Sequence, residues 1–184
     1  TEPGNLPPAR GFDRSVIQAD SGSDNFEMRP YLPMYPEARW YNDGERMLSL
    51  PEDFYSSSYF VDTTIDFLAS TQSQGKPFFA YLAFQANHLP LQAPAHFIDA
   101  YRGRYTEGWA KVREARIRKL RSYGLIDAGA TLAAGPSQEE WDALSPQEQY
   151  FEARRMQAYA GMATAMDYDI GRLITYLRQS GQYD

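Results

Sequence analysis

The sequence predicts an α/β chain in which helices outnumber strands and the recognisable parallel strand has no partner of its own. Two observations carry this. Pro77-Phe-Phe-Ala-Tyr-Leu-Ala-Phe84 is a continuous apolar run, too short for a free-standing helix and too uniformly apolar for a half-exposed strand, which reads as a strand buried on both faces. Before and after it, apolar residues recur at helical spacing, and two of the later segments open with capping boxes.

Taken in order, residues 1–50 are rich in Pro, Gly, Asn and Asp, which favours irregular chain. Within them Arg39-Trp-Tyr41 and Glu45-Arg-Met-Leu-Ser-Leu50 flank Asn42-Asp43-Gly44, a cluster that readily supplies positive φ, so a short hairpin is expected. From Ser57 to Gln74, Phe60, Val61, Ile65, Phe67 and Leu68 mark a helix, with Ser57 as expected N-cap and Gly75 and Pro77 closing it. The apolar strand follows, then a proline-broken loop, Gln85 to Pro94. Helices are expected near Ala95 to Tyr101 and Thr106 to Ser122, the second stopped by Gly124. Ser137-Gln-Glu-Glu140 and Ser145-Pro-Gln-Glu148 place two further helix starts. The last helix carries Met156, Tyr159, Ala160, Ala163, Met166, Ile170, Leu173, Ile174 and Leu177, and Gly181 ends it after roughly 35 residues. Gly161 and Gly171 are candidate bend points.

A parallel strand needs neighbours on both edges to satisfy its backbone, and one strand cannot form a sheet. The chain therefore reads as an internal segment of a larger α/β protein. It is organised as a loop-rich part with a hairpin (1–56), a helix, strand and His-bearing loop (57–94), and a helical part (95–184).

Composition narrows the chemistry. Of the 184 residues 43% are hydrophobic, enough for a core, yet no apolar stretch approaches the roughly 18 residues a membrane-spanning helix needs. With no Cys, disulfides, thiolate metal sites and cysteine nucleophiles are excluded from these residues. The opening Thr1-Glu-Pro-Gly-Asn-Leu-Pro-Pro8 has neither a basic nor an apolar stretch of a targeting signal, and it assigns no compartment. Arg102 to Arg121 holds eight basic residues against Glu107 and Glu114 in a chain of net charge −6; the expected reading is a solvated helix face rather than a nucleic-acid site.

Few residues suit catalysis. His88 lies just past the carboxyl end of the predicted strand, where open α/β sheets place ligand sites, between loop prolines Pro90 and Pro94. From position alone a structural role for it is as good a reading as a functional one. His96, among Ala95, Phe97 and Ile98 in a helix's first turn, reads as structural or exposed. Asp167 falls inside the long helix's apolar stripe and is expected to be buried in a structural hydrogen bond. Asp13, Asp20, Asp24 and Asn25 offer oxygen atoms but lack calcium-loop spacing, so no metal is assigned to them. The chain has no phosphate-cradling glycine loop, no Gly-x-Ser-x-Gly and no His-Glu-x-x-His.

Lys76-Pro-Phe-Phe-Ala-Tyr-Leu-Ala-Phe-Gln-Ala-Asn-His-Leu-Pro-Leu-Gln-Ala-Pro94 resembles the central segment of the type I sulfatases, the arylsulfatase family of the alkaline-phosphatase-like superfamily. The resemblance extends to Gly11-Phe-Asp-Arg14, Tyr41-Asn-Asp-Gly44, Asp53-Phe-Tyr55, Tyr101-Arg-Gly-Arg-Tyr-Thr-Glu-Gly-Trp109, Phe151-Glu-Ala-Arg-Arg-Met156 and Met166-Asp-Tyr-Asp-Ile-Gly-Arg172. It implies the central part of an α/β/α sandwich catalytic domain and a parent enzyme that hydrolyses sulfate esters. It also implies a formylglycine nucleophile and a divalent cation, calcium by the family's habit, with the residues for both outside this chain. Only the histidine of the family's His-x-Pro element carries over, onto His88, as a catalytic and substrate-binding residue that is not a metal ligand; Asn87 stands before it where the family often has Pro. The resemblance implies a sulfate ester as partner, with no nucleic acid and no membrane span, and leaves compartment and oligomeric state open. A phosphodiesterase or phosphonate ester hydrolase of the same superfamily, and a non-enzymatic helical interaction module, are the competing readings.

Overall fold

A computed structural model of the chain describes residues 3–19, 22–72 and 75–183. After two short 3-10 turns, Pro3–Asn5 and Pro7–Arg10, come β1 (Val16–Gln18), β2 (Trp40–Asn42), β3 (Glu45–Arg46), α1 (Ser56–Thr71), α2 (Ala95–Asp99), α3 (Trp109–Ser122), α4 (Gln138–Asp142) and α5 (Pro146–Gln179).

The expected hairpin forms. β2 pairs antiparallel with β3 in the register Tyr41 to Arg46 and Asn42 to Glu45. Its turn residues Asp43 and Gly44 have φ of 49° and 86°, the double positive φ that a two-residue hairpin turn requires. Three residues of β1, too few to show alternation in sequence, add antiparallel to β2. The Asp43 carboxylate ties them to the turn by accepting from the Ser15 amide at 2.7 Å and Arg14 Nε at 2.8 Å. This sheet backs a core of Ala38, Trp40, Phe54 and Phe60, with Trp40 edge-on to Phe54 at 5.2 Å.

α1 begins one residue earlier than expected, at Ser56, with Tyr55 rather than Ser57 in the N-cap position and no side-chain cap. A loop distant in sequence does the capping. Asn25 accepts from the Ser56 amide at 2.9 Å through its backbone oxygen and from Ser56 Oγ at 2.6 Å through Oδ1. The expected helix end at Gln74 lies outside the described residues.

Both capping boxes are present, at Ser137 with Glu140 and at Ser145 with Glu148, and α5 runs unbroken for 34 residues. Gly161 is a contact point, not a bend. A Cβ there would lie 2.9 Å from Ile98 Cα, so α2 packs its backbone directly on α5. Gln157 Nε2 donates to Ile98 O at 2.8 Å beside it, and Tyr101 bonds Thr164 at 2.6 Å one turn on. The second core cluster, Tyr55, Ala93, Met162 and Ala165, fills this junction.

Asp167 is exposed, against expectation, and Asp169 is the buried carboxylate, 1% exposed. The two lie about 200° apart around a 3.6-residue helix. α5 turns a face of small and polar residues, Gln157, Ala160, Gly161, Ala165 and Asp169, toward α1 and α2. Asp169 accepts from Ser58 Oγ at 2.9 Å and from Arg172 at 2.9 Å, and Arg172 also pairs with Asp62 on α1. The apolar stripe through Met166, Ile170, Leu173 and Leu177 stays half-buried.

The expected buried strand is the other correction. Residues 77–84 join no ladder, and Phe79 and Tyr81 are 78% and 77% exposed. The physical reason is the one that argued for a larger sheet: among the described residues the sheet is the three-stranded antiparallel one, which offers this segment no edge. Phe79 rests against Phe12 at 6.2 Å and Leu82 against the first core cluster. α3 starts at Trp109 rather than Thr106 and buries none of its residues, consistent with a solvated basic face. It ends as expected at Gly124, φ 70°, with the Leu125 amide donating to Leu120 O. No helix among the described residues is long and apolar enough to cross a membrane.

Two outcomes follow from this packing. The 184-residue chain by itself should bind the dye ANS and unfold over a broad urea range, because Phe78, Phe79 and Tyr81 are uncovered; a sharp transition with little dye binding would count against the account. Measured by urea melts in a longer protein that carries the chain, Gly161→Ala should cost about 1–3 kcal/mol through the Ile98 clash, whereas Gly171→Ala, with open space around its Cβ, should be neutral or stabilising by up to about 1 kcal/mol.

Candidate functional site

His88 sits on an irregular loop between the apolar segment and α2, with its side chain exposed. Its own amide donates to Gln85 O at 2.8 Å, a tight turn that lifts the ring off the chain. Peptide bonds Ala86–Asn87 and Leu89–Pro90 are cis. His88 Nδ1 lies 2.8 Å from Leu89 O. A carbonyl only accepts, so Nδ1 carries the proton and Nε2 is the nitrogen left for chemistry. Tyr31 meets the imidazole edge to face at 5.9 Å between centroids and holds the ring plane from the other side.

The loop is fastened to residues 22–31 by a buried polar knot. Gln85 Oε1 accepts from the Ser23 amide at 3.0 Å, and Gln92 Oε1 from the Asn25 amide at 2.9 Å. Asn25 Nδ2 donates to Pro90 O at 3.2 Å, and Gln92 Nε2 to Asp24 Oδ2 at 2.7 Å. The Asp24 carboxylate also accepts from the Phe26 and Glu27 amides at 2.8 and 3.1 Å and from Arg29 at 2.6 Å. Burial alone would raise its pKa, but the hydrogen bonds from Gln92, Arg29 and the two amides outweigh that and hold it below the ordinary value. Beside His88, Gln85 Nε2 and Asn87 Oδ1 are buried without a hydrogen-bond partner.

His96 is exposed with its ring against Phe97 at 4.0 Å, on α2 rather than on the loop, which fits a non-catalytic role. Asp13 is exposed, Asp20 lies outside the described residues, and Asp24 and Asn25 serve the knot. Tyr31, Gln85 and Gln92 were not picked out in sequence. Gln92, between two prolines of the His88 loop, was the available signal.

Among the described residues no group of three His, Asp or Glu side chains is placed to hold a metal ion. Asp24, a buried carboxylate, already accepts four hydrogen bonds. These residues do not fit a cation, and their visible chemistry is one accessible imidazole with a defined tautomer.

The fold has counterparts. A crystal structure of Ps i-CgsB in complex with k-i-k-neocarrahexaose superposes over all of this chain and 32% of its own, at a TM-score of 0.62 and 20% identity, and a putative sulfatase of Bacteroides fragilis over 79% of this chain and 26% of its own, at 0.51 and 15%. The Sulfatase family profile matches residues 2–184, and the chain belongs to that family. An arylsulfatase of Klebsiella aerogenes is 37% identical over 98% of the chain, and an uncharacterized sulfatase of Schizosaccharomyces pombe is 36% identical over 99%. The chain spans 39% and 34% of the lengths of these two relatives.

The lowered Asp24 pKa fixes a sign. Such a group contributes stability that is present above its unfolded value and lost as pH falls through its folded value. Amide exchange at Phe26 and Glu27, corrected for intrinsic rates, should therefore accelerate once pH falls below about 4. In Asp24→Asn that acid-linked step should be absent; its persistence would show that another group controls the loop.

Proposed function

We propose that this chain is the central part of a sulfate ester hydrolase and that His88 assists departure of the ester oxygen. The family match from residue 2 to 184 supports the reaction class, and the accessible imidazole with Nδ1 engaged by Leu89 O supports the role. Cleaving the S–O bond of an ester places negative charge on the departing oxygen. A protonated Nε2 beside that oxygen donates a hydrogen bond as the charge develops and can pass its proton to the alcohol. Leu89 O accepts from Nδ1–H in either charge state, so the ring need not turn when Nε2 gains or loses its proton.

Sulfatases are generally metal-dependent and use formylglycine; we assign both groups, with calcium as the cation, to other parts of the parent. When bound, they supply the nucleophile and the charge neutralisation of the sulfate. The residues of this chain position the imidazole and admit the ester. A sulfate ester is the partner on this reading, and the chain by itself is inactive.

The test is turnover in the whole enzyme. His88→Ala should slow hydrolysis of an alkyl or sugar sulfate by roughly 100-fold or more, and of nitrophenyl sulfate by less, because a good leaving group needs little help. His96→Ala should change neither. Near-normal rates for His88→Ala on both esters would remove the assignment.

A further inference from the structure

Away from the His88 loop, α3, α4 and the first turns of α5, with Tyr105 and Pro136, line a half-open cavity of about 240 Å3. Trp109, Trp141, Tyr105 and Met156 give it flat or soft apolar walls, and Arg113 and Arg116 give it positive charge. The two indoles stand edge to face at 5.2 Å between centroids. Its lining carboxylate, Glu152, is paired with Arg155 at 2.7 Å, which leaves the lining with an excess of positive charge from Arg113 and Arg116. The cavity opens within the segment Arg102 to Arg121, where eight basic residues face two acidic ones.

The walls are set in advance. At Gly108, φ 99°, a Cβ would lie 2.7 Å from the Trp141 ring, so bare backbone backs the indole, which is only 3% exposed. Gly135 presses in the same way on the Arg113 side chain, whose guanidinium also bonds Ala133 O. Backbone therefore stands directly behind both side chains and leaves neither room to retreat on that side.

We propose that this cavity is a binding site for a planar aromatic anion, a single ring bearing a carboxylate, sulfonate or sulfate. Size favours one ring: a dry cavity of roughly 150 Å3 accommodates benzene. Indole and phenol walls suit a π-face, and two arginines suit an anionic substituent through charge-assisted hydrogen bonds. A neutral ring would leave the arginines unused, and a bare inorganic anion would leave the aromatic walls unused. The site shares no residue with the His88 loop, and the proposal stands independently of the hydrolase reading.

Fluorine NMR on the whole protein labelled with 5-fluorotryptophan tests it, with benzenesulfonate as the probe, benzyl alcohol and inorganic sulfate as half-matches, and the Trp109 signal assigned through Trp109→Phe. Benzenesulfonate should move the Trp109 signal saturably and leave that of Trp40, in the other core, unmoved. Both half-matches should bind about tenfold or more weakly, and Arg116→Gln, a change at an exposed residue, should raise the benzenesulfonate Kd roughly tenfold. His88→Ala should bind it as the parent does. An unmoved Trp109 signal, equal response to benzyl alcohol, unchanged affinity in Arg116→Gln, or loss of binding in His88→Ala would each overturn the proposal.

Discussion

Asn25, 1% exposed, ties three segments together: its own loop, the start of α1 and the His88 loop. Its backbone oxygen and Oδ1 start α1 through Ser56, its amide donates to Gln92 Oε1, and its Nδ2 donates to Pro90 O. An apolar residue there would leave the Ser56 hydroxyl and the Pro90 carbonyl without these partners, and each such buried group costs about 1–3 kcal/mol. α1 in turn carries Phe60 of one core cluster and follows directly on Tyr55 of the other. The loop that bears His88 is thus held by the same residue that orders the two cores, and an exposed loop gains a fixed direction without a covering layer.

α5 explains how one helix serves both this chain and the sheet of its family's fold. Its small-residue face lets α2 approach to backbone contact at Gly161, and Asp169 and Arg172 lock it to α1. Such a close approach needs glycine at the point of contact. Met162 fills the junction beside it, and Met166, Ile170, Leu173 and Leu177 lie on a half-covered stripe. That stripe and the exposed Phe78, Phe79 and Tyr81 are the surfaces a larger parallel sheet would cover, which agrees with a chain that spans 39% of its Klebsiella relative.

What was legible in sequence was local. The Asn42-Asp43-Gly44 turn, the two capping boxes and the Gly124 and Gly181 stops depend on neighbours a few residues apart, and all formed as read. The errors were tertiary. Ser57 lost the N-cap position because Asn25 caps α1 from 31 residues away. Asp167 is exposed and Asp169 is the buried carboxylate because periodicity locates the apolar stripe but not the face that α1 and α2 take. The run at 77–84 reads as a buried parallel strand, yet it joins no ladder and stays largely exposed, because burial of such a strand depends on partner strands these residues do not contain. His88 was findable from its place after that run, whereas the knot behind it, built from Gln and Asn side chains of two distant loops, leaves no pattern in a single sequence.

The central claim is that the knot at Asn25 acts on chemistry by aiming His88. A double-mutant cycle in the whole enzyme, Asn25→Ala, His88→Ala and both together, measures this directly through kcat on an unactivated sulfate ester at matched folded fractions. If Asn25 works through the imidazole, the double variant turns over no more slowly than the slower single variant. If the two losses multiply, Asn25 and His88 act independently, and the knot is a structural feature with no part in placing the histidine.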